Sequence, residues 1–218
     1  MTDRLNWITE ILPECETFAD IGCDHGYVTE AMIKRGKCKK AIFSDVSERC
    51  LKKAETLLSS FVKSGVAVPI QSDGFENIEA CDLALIAGMG GEEIIKILKS
   101  ATNLPKNLCV QPMRNTDRVR KTLLETGYAI RYDETRKFSD KFYDLILAEK
   151  GEDVLTEEEI FFGRTNVLKL NPDFREKCMK DYKEIQALLS GNLSEERVKE
   201  LNIRAEKLKK YAFGTKTV

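Results

Sequence analysis

Apolar residues recur with two different spacings along the first 150 residues of the chain. Short runs rich in β-branched side chains predict strands, and stretches with apolar residues three or four positions apart predict amphipathic helices. The predicted strands are 17–21, 41–43, 66–70, 83–87, 108–110, 128–132 and 142–149. The predicted helices are 5–12, 27–35, 48–61, 92–98 and 117–125. Because strands and helices alternate over short connections, the pattern predicts a doubly wound α/β fold, with one antiparallel strand in the final pair.

The pattern changes after Gly151, where no further strand is predicted. Thr156 and Glu159 have the spacing of a capping box, which opens a helix. Two long apolar stripes at helical spacing follow, and a turn at Gly191 joins them. Such a pair predicts an antiparallel helical hairpin. We therefore expect two domains, residues 1–152 with the sheet and residues 153–218 with the helices.

Composition narrows the classes of function. No window of the 218 residues approaches 18 uninterrupted apolar positions, which argues against a membrane span. Residues 1–13 lack the basic start and apolar stretch of a signal peptide, so we expect a cytoplasmic protein. Seven cysteines without a C-x-x-C pair, together with the single histidine, His25, argue against a disulfide framework and a zinc site. A net charge of -1 means that any nucleic-acid binding must come from a local basic patch.

The segment Asp20-Ile21-Gly22-Cys23-Asp24-His25-Gly26 follows the first strand, where a doubly wound sheet binds its cofactor. Its two glycines allow the backbone to approach a ligand closely, and the next helix offers free N–H groups. Asp45 ends the second strand and can accept hydrogen bonds from both hydroxyls of a ribose. These features predict an adenosine cofactor, and alone they leave NAD and S-adenosylmethionine both open.

Two details favour S-adenosylmethionine. The glycine spacing is G-x-x-x-G rather than the dinucleotide fingerprint G-x-G-x-x-G. Asp20 and Asp24 put two carboxylates at the turn, which would repel a pyrophosphate but suit a sulfonium and an amino group. Asp73 and Gly74 follow the third strand, where a side chain could meet the adenine amine. The alternative is that the glycines only make turns and the aspartates only cap helices.

Four segments carry a resemblance to a known family. DIGCDHGYV (20–28), IAGMGG (86–91), QPM (111–113) and FYDLILAEKG (142–151) resemble the bacterial tRNA (adenine-22, N1)-methyltransferases over nearly the whole chain. The resemblance implies a Rossmann-like class I methyltransferase sheet followed by a helical coiled-coil hairpin. It also implies transfer of a methyl group from S-adenosylmethionine, with S-adenosylhomocysteine as product, to N1 of an adenine in the D-arm of tRNA. No metal, DNA or membrane partner is expected.

The resemblance and the strand-end positions assign roles to individual residues. Asp24 is the catalytic candidate, because its carboxylate could accept a hydrogen bond from the adenine N6 amine and offset the positive charge that the ring gains. The alternative is that Asp24 only caps the next helix, and His25 is more typical of a hydrogen-bonded spacer than of an acid or base. The cofactor-binding candidates are Asp20, Gly22, Cys23, His25, Gly26, Asp45, Val46, Asp73, Gly74, Gly88 and Met89.

The substrate candidates lie after the fourth and fifth strands and at the last one. Gly90 and Gly91 would leave room for a flat base, and Tyr143 and Phe75 could stack on it, with core packing as the alternative. The remaining substrate-binding candidates are Gln111, Pro112, Met113, Arg114, Arg118 and Arg120. Residues 173–218 carry 11 basic and 8 acidic side chains, which suits a helical arm on an RNA backbone. The dense basic run at 34–40 should lie at the opposite, amino end of the strands.

Two other functions are compatible with the same residues. One is methyl transfer to another RNA or to a small molecule, and the other is a catalytically silent RNA-binding module on the same fold. The helical tail favours a large polymeric substrate, and the intact AGMGG segment with Asp24 argues against a silent module. An NAD-dependent dehydrogenase is the least favoured alternative.

Overall fold

Seven strands form one sheet in the computed structural model, which describes residues 2–214. In chain order they are β1 (Cys15–Ile21), β2 (Cys38–Asp45), β3 (Ala67–Gln71), β4 (Leu83–Met89), β5 (Asn107–Pro112), β6 (Tyr128–Phe138) and β7 (Lys141–Lys150). Their order in the sheet is β3-β2-β1-β4-β5-β7-β6. Neighbours are parallel except in the pairs β5–β7 and β6–β7. The prediction of a doubly wound sheet with an antiparallel ending is confirmed.

Helices connect the strands and form the region after them. They are α1 (Asp3–Ile11), α2 (Tyr27–Lys34), α3 (Glu48–Leu57), α4 (Ser59–Lys63), α5 (Gly91–Ser100), α6 (Thr116–Glu125), α7 (Glu157–Phe162), α8 (Arg164–Lys169), α9 (Pro172–Leu189) and α10 (Glu195–Ala212). The Ser47 hydroxyl accepts the Cys50 N–H at the start of α3, and Thr156 with Glu159 forms the predicted capping box of α7. Such caps satisfy N–H groups that have no partner within the helix. Among residues 2–214, no helix is both long and apolar enough to cross a membrane.

The prediction of one helix over 48–61 is wrong in one respect, because the chain bends at Leu58. This side chain is wholly buried, in a cluster that includes Phe43 and Ala54. The Phe61 N–H donates to the Leu58 carbonyl at 2.9 Å, an i to i+3 bond that tightens the turn. The apolar spacing continues through the bend, which is why the pattern alone does not reveal it.

The two faces of the sheet are covered by different helices, as a doubly wound fold requires. On one face, Trp7 of α1 and Met32 of α2 pack with β-strand residues such as Leu85. On the other face, Ile94 of α5 and Leu123 of α6 pack in the cluster of the remaining sheet side chains. This layering leaves the carboxyl ends of β1, β2 and β4 open at one edge of the molecule.

Strand β6 is longer than the predicted 128–132 because it pairs with β7 as far as the hairpin turn, and the C-terminal region covers its free edge. The N–H groups of Asp133, Thr135 and Lys137 donate to side-chain oxygens of Thr165, Asn166 and Asp173, at 2.8 to 3.0 Å. An edge strand otherwise exposes unpaired N–H groups, which other chains can bind. The C-terminal helices thus cover the edge of the sheet with side chains rather than with another strand.

Helices α9 and α10 lie against each other in opposite directions. The ring of Phe174, in the first turn of α9, lies 5.3 Å from that of Tyr211, in the last turn of α10. Cys178, Ile185 and Leu201 belong to the same buried cluster. The helical hairpin is therefore present, while the division into domains at residue 152 stays a prediction.

A buried polar cluster fixes these helices to the sheet. Asp144 of β7 accepts hydrogen bonds from the Thr135 hydroxyl at 2.5 Å, the Lys177 ammonium at 2.7 Å and the Thr116 hydroxyl at 3.0 Å. Although burial opposes ionisation, Lys177 and Arg120 hold the pKa of Asp144 at about 2. The carboxylate therefore stays charged and connects β7 with α6 and α9.

Candidate active site

A cavity of about 1160 Å³ opens where the strand order reverses between β1 and β4. This is the position at which doubly wound sheets bind their ligands. The predicted site residues that line it are Asp20, Gly22, Cys23, Asp24, His25, Asp45, Val46, Asp73, Gly74, Gly88, Met89 and Tyr143. The predicted residues that do not line it are Gly26, Gly90, Gly91, Gln111, Pro112, Met113, Arg114, Arg118 and Arg120. We call this cavity the crevice.

Asp20 supplies a buried carboxylate at the base of the crevice. Its side chain accepts a hydrogen bond from the Thr29 hydroxyl of α2 at 2.8 Å, and the residue is only 5% exposed. Burial, with a smaller contribution from Asp45, raises the pKa of Asp20 to about 6. A buried carboxylate without a cationic neighbour is costly, so a positively charged ligand would stabilise it.

Asp45 and Asp73 lie at the ends of neighbouring strands and differ in how they are held. The Asp45 carboxylate accepts the Ser47 N–H at 2.8 Å and the Asp24 N–H at 3.3 Å, which orients it toward the loop after β1. Asp73 lies two residues beyond β3 and forms an ion pair with Lys96 of α5 at 3.2 Å. Asp45 is therefore the better oriented of the two acceptors.

Asp24 lies at the mouth of the crevice with its side chain 64% exposed. Its backbone has a φ of 47°, in the left-handed region that Asp and Asn tolerate best among residues with a Cβ. One carboxylate oxygen is 2.7 Å from Nδ1 of His25, whose ring stacks on Tyr27 with centroids 5.6 Å apart. The alternative role of Asp24 as a helix cap is wrong, because Gly26 is the N-cap of α2 and no side chain caps it. The carboxylate is thus oriented by His25 and still open to a substrate.

Gly26 and Gly91 have packing roles rather than contacts with the crevice. A Cβ on Gly26, which has a φ of 73°, would lie 3.1 Å from both Ala54 and Leu58. A Cβ on Gly91 would lie 2.3 Å from the Arg114 carbonyl oxygen. The expectation that Gly91 leaves room for a base is therefore corrected, since residues 114 and 115 occupy that side.

Two further substrate predictions, those for Arg120 and Phe75, need correction, and Gln111 is enclosed in the free protein. Arg120 is 1% exposed, its guanidinium donates to both carboxylate oxygens of Asp133 at 2.6 and 2.9 Å, and it also donates to the carbonyl of Ile160. It therefore stabilises the contact of β6 with α7 and presents no charge to RNA. Phe75 is 7% exposed within the main core cluster, so it packs rather than stacks on a ligand. Gln111 is wholly buried, and its Oε1 accepts a hydrogen bond from the Arg4 guanidinium.

Three of the other predicted substrate residues line a smaller cavity of about 370 Å³ between the loop after β5 and the C-terminal helices. They are Pro112, Met113 and Arg114. Arg118 is exposed on α6 and pairs with Glu92. Gly90 is the N-cap of α5, next to the crevice residue Met89. Pro112, Met113 and Arg114 therefore face the C-terminal helices, whereas Arg118 and Gly90 do not line this cavity.

Two parts of the crevice wall are not indicated by the sequence. The first turn of α1 contributes Arg4 and Leu5, and the tip of the β6–β7 hairpin contributes residues 138–141. The hairpin tip is far from β1 in sequence, α1 immediately precedes that strand, and no motif marks either part. The one available signal was the helical pattern before β1, since a helix that precedes this strand can fold over the strand ends.

The charged side chains that line the crevice distinguish between classes of cofactor. Four of the carboxylates that line it, those of Asp20, Asp24, Asp45 and Asp73, lie at or just beyond the ends of β1, β2 and β3. A pyrophosphate would be repelled there, whereas an ammonium, a sulfonium and a pair of ribose hydroxyls would be bound. The residues therefore fit S-adenosylmethionine. Within residues 2–214, no group of three or more His, Cys, Asp or Glu is placed to hold a metal ion.

The protein has a seven-stranded doubly wound sheet, with acidic residues at the strand ends where the strand order reverses. This combination defines a class of enzymes that bind a nucleoside cofactor. The model of a family described as "Methyltransferase domain" matches residues 1–146. The chain belongs to this methyltransferase family.

Individual relatives agree with this assignment. A tRNA (adenine(22)-N(1))-methyltransferase of Bacillus subtilis is 28% identical over 158 residues, which cover 70% of this chain and 66% of the relative. The structure of M. capricolum TrmK in complex with S-adenosyl-homocysteine is 25% identical, with a TM-score of 0.89 and 99% of each chain covered. That of the B. subtilis M1A22 tRNA methyltransferase TrmK has a TM-score of 0.87 at 24% identity, covering 97% of this chain and 98% of that one. The shared fold thus includes the C-terminal helices.

Cofactor affinity should depend on pH through Asp20. Its pKa of about 6 in the free protein means that it becomes protonated as the pH falls through 6, and the positively charged S-adenosylmethionine then loses its partner. We expect the affinity measured by calorimetry to fall by up to about tenfold per pH unit below pH 6 and to be flat above pH 7. Asp20→Asn should bind weakly at every pH with no such dependence. In the control His25→Gln the dependence should persist; its loss there would assign it to the imidazole instead.

Proposed function

We propose that the protein transfers a methyl group from S-adenosylmethionine to N1 of an adenine in tRNA, adenine 22 of the D-arm. The observation that carries the proposal is the crevice itself, with a buried carboxylate at its base and the exposed carboxylate of Asp24 at its mouth. The names of the B. subtilis and M. capricolum relatives support the same substrate and cofactor. Because this substrate is a cytoplasmic RNA, the proposal also places the protein in the cytoplasm and includes neither DNA nor a membrane.

The residues around the turn after β1 would hold the cofactor. When bound, S-adenosylmethionine supplies an electrophilic methyl group on a positively charged sulfur. Asp20 provides a negative charge that stabilises the cationic ligand. Asp45, oriented by two backbone N–H groups, is placed to accept hydrogen bonds from the ribose hydroxyls.

The adenine needs orientation more than activation. Its N1 carries an in-plane lone pair, so no strong base is required, but the base must leave its stack to reach the crevice. Asp24 can accept a hydrogen bond from the N6 amine and offset the positive charge that develops on the ring. His25 holds that carboxylate in place through Nδ1 at 2.7 Å. Asp24 is therefore the catalytic residue of the proposal, and His25 a positioning residue.

Arg118 provides a test of the RNA surface. It is exposed beside the loop after β5, so Arg118→Glu should weaken tRNA binding and make its salt dependence shallower by about 0.7 to 0.9 per lost phosphate contact. The matched control is Lys39→Glu, because Lys39 is exposed on β2 near its amino end, away from the crevice. Filter-binding titrations at several salt concentrations provide the measurement. Equal effects of the two variants would mean that the RNA lies elsewhere.

The activity is tested by incubating the protein with total tRNA and S-adenosylmethionine labelled in the methyl group. Digestion to nucleosides should place the label in 1-methyladenosine, and a transcript with adenine 22 replaced by guanine should accept none. Label in a different nucleoside, or in ribosomal RNA alone, would favour the reading as a methyltransferase on another substrate. Cofactor binding with no transfer to any RNA would favour the silent RNA-binding module.

A further inference from the structure

In the side-chain amide of Gln111, the oxygen has a hydrogen-bond partner and the nitrogen has none among residues 2–214. Its Oε1 accepts a hydrogen bond from the Arg4 guanidinium, whereas Nε2 is buried. The Arg4 contact fixes the orientation of the amide, because a guanidinium donates and cannot accept. A buried N–H without an acceptor is unfavourable and rare, so it calls for an explanation.

The free amide lies beside the crevice. Gln111 pairs with Ala87 across β4 and β5, so both side chains leave the same face of the sheet, and Ala87 lines the crevice. Arg4 and Tyr143 also line it. The Arg4 guanidinium lies 5.3 Å from the centre of the Tyr143 ring. A planar group therefore occupies the space over Tyr143 and donates to Gln111.

An adenine is planar and carries a hydrogen-bond donor, as the Arg4 guanidinium does, and it also carries an acceptor. Its N6 amine is a donor, and the adjacent N7 is an acceptor, so glutamine can bind both atoms at once. Arg4 can satisfy Oε1 but has nothing to offer Nε2, which is the group that N7 would satisfy. The ring would stack on Tyr143, over which the guanidinium lies in the free protein.

We infer that Gln111 reads the N6/N7 edge of the target adenine over the Tyr143 ring, in the space that the Arg4 side chain occupies before the base enters. The inference rests on the proposed function and extends it to the selection of the base. N1 lies on the other side of the N6 amine, on the Watson–Crick edge, and stays free to accept the methyl group. The second hydrogen of N6 remains available to Asp24, so the two residues do not compete.

The same geometry rejects guanine. Guanine carries O6 where adenine carries the amine, so O6 and N7 are both acceptors. Oε1 of Gln111 would then face another acceptor while buried, which is strongly unfavourable. Gln111 thus acts as a specificity-determining residue, and Arg4 keeps its acceptor satisfied in the free protein.

The test changes one atom of the RNA and leaves the protein intact. A tRNA carrying 7-deazaadenosine at the target position lacks the N7 acceptor but keeps N1 and N6. With the wild-type enzyme we expect kcat/KM to fall by about tenfold relative to the unmodified tRNA. With Gln111→Ala the two RNAs should be methylated equally slowly, because the group that reads N7 is gone. Arg4→Ala is the control, and it should retain the tenfold difference.

Each outcome separates this inference from the proposed function. Equal rates on both RNAs with the wild-type enzyme would overturn the reading by Gln111 while leaving the methylation of adenine N1 intact. A tenfold difference that disappears in Arg4→Ala and persists in Gln111→Ala would assign the contact to Arg4 instead. No transfer to the unmodified tRNA would contradict the proposed function itself. Equal rates with the wild-type enzyme would overturn the inference even if Gln111→Ala fails to fold.

Discussion

Asp24→Asn should lower the rate of methyl transfer by about a hundredfold or more and leave the affinity for S-adenosylmethionine nearly unchanged. The carboxylate lies 64% exposed at the mouth of the crevice, where it can meet the substrate base, and Asp20 beneath it already provides a buried negative charge. Loss of a single preoriented electrostatic partner of the transition state typically has an effect of this size. Single-turnover rates with tRNA, together with calorimetric titration of the cofactor, measure the two quantities separately.

Asparagine is the informative replacement because the backbone at residue 24 has a φ of 47°. Alanine there would add about 1 to 2 kcal/mol of backbone strain to the loss of charge, whereas asparagine keeps both the shape and the tolerance for this region. Asp24→Ala should therefore lose the same transfer rate and, in addition, some thermal stability. If binding and rate fell equally in Asp24→Asn, the carboxylate would belong to the cofactor site.

The sequence predicts site residues correctly where their position depends on a single strand and the turn that follows it. The acid at the end of β1, the turn to α2 and the acid at the end of β2 were predicted from spacing, and the structure places Asp20, Asp24 and Asp45 around one crevice. Local rules suffice here because a doubly wound sheet brings the carboxyl ends of its central strands together. The roles of these residues toward a ligand stay predictions.

The sequence was uninformative wherever a contact depended on distant elements. Arg120 follows Val119 in a helix with other basic residues and resembles a surface charge, yet its partner Asp133 lies in the next strand. Arg4 reaches Gln111 across 107 positions of the chain. One signal was available, since Asp144 interrupts the apolar strand Phe-Tyr-Asp-Leu-Ile-Leu, and a charge in such a run predicts a buried partner.

Arg120→Met should destabilise the protein by about 3 to 5 kcal/mol, because it leaves the buried carboxylate of Asp133 without its cation. Both side chains are at most 2% exposed, so water cannot replace the lost guanidinium. The matched control is Arg118→Met, two residues away on the same helix and 58% exposed, which should change stability by less than about 0.5 kcal/mol. Denaturant unfolding followed by circular dichroism measures both.

A double variant distinguishes an unpaired charge from lost packing. Replacing Asp133 by leucine in the Arg120→Met background removes the charge that the single variant leaves buried, and much of the stability should return. A double variant as unstable as Arg120→Met would show instead that the hydrogen bonds from Arg120 to the Ile160 and Phe161 carbonyls carry the effect. In either case the destabilisation should appear without RNA, because this arginine joins the sheet to the C-terminal helices. If Arg120→Met were stable but bound tRNA more weakly, Arg120 would instead be assigned to the RNA-binding surface.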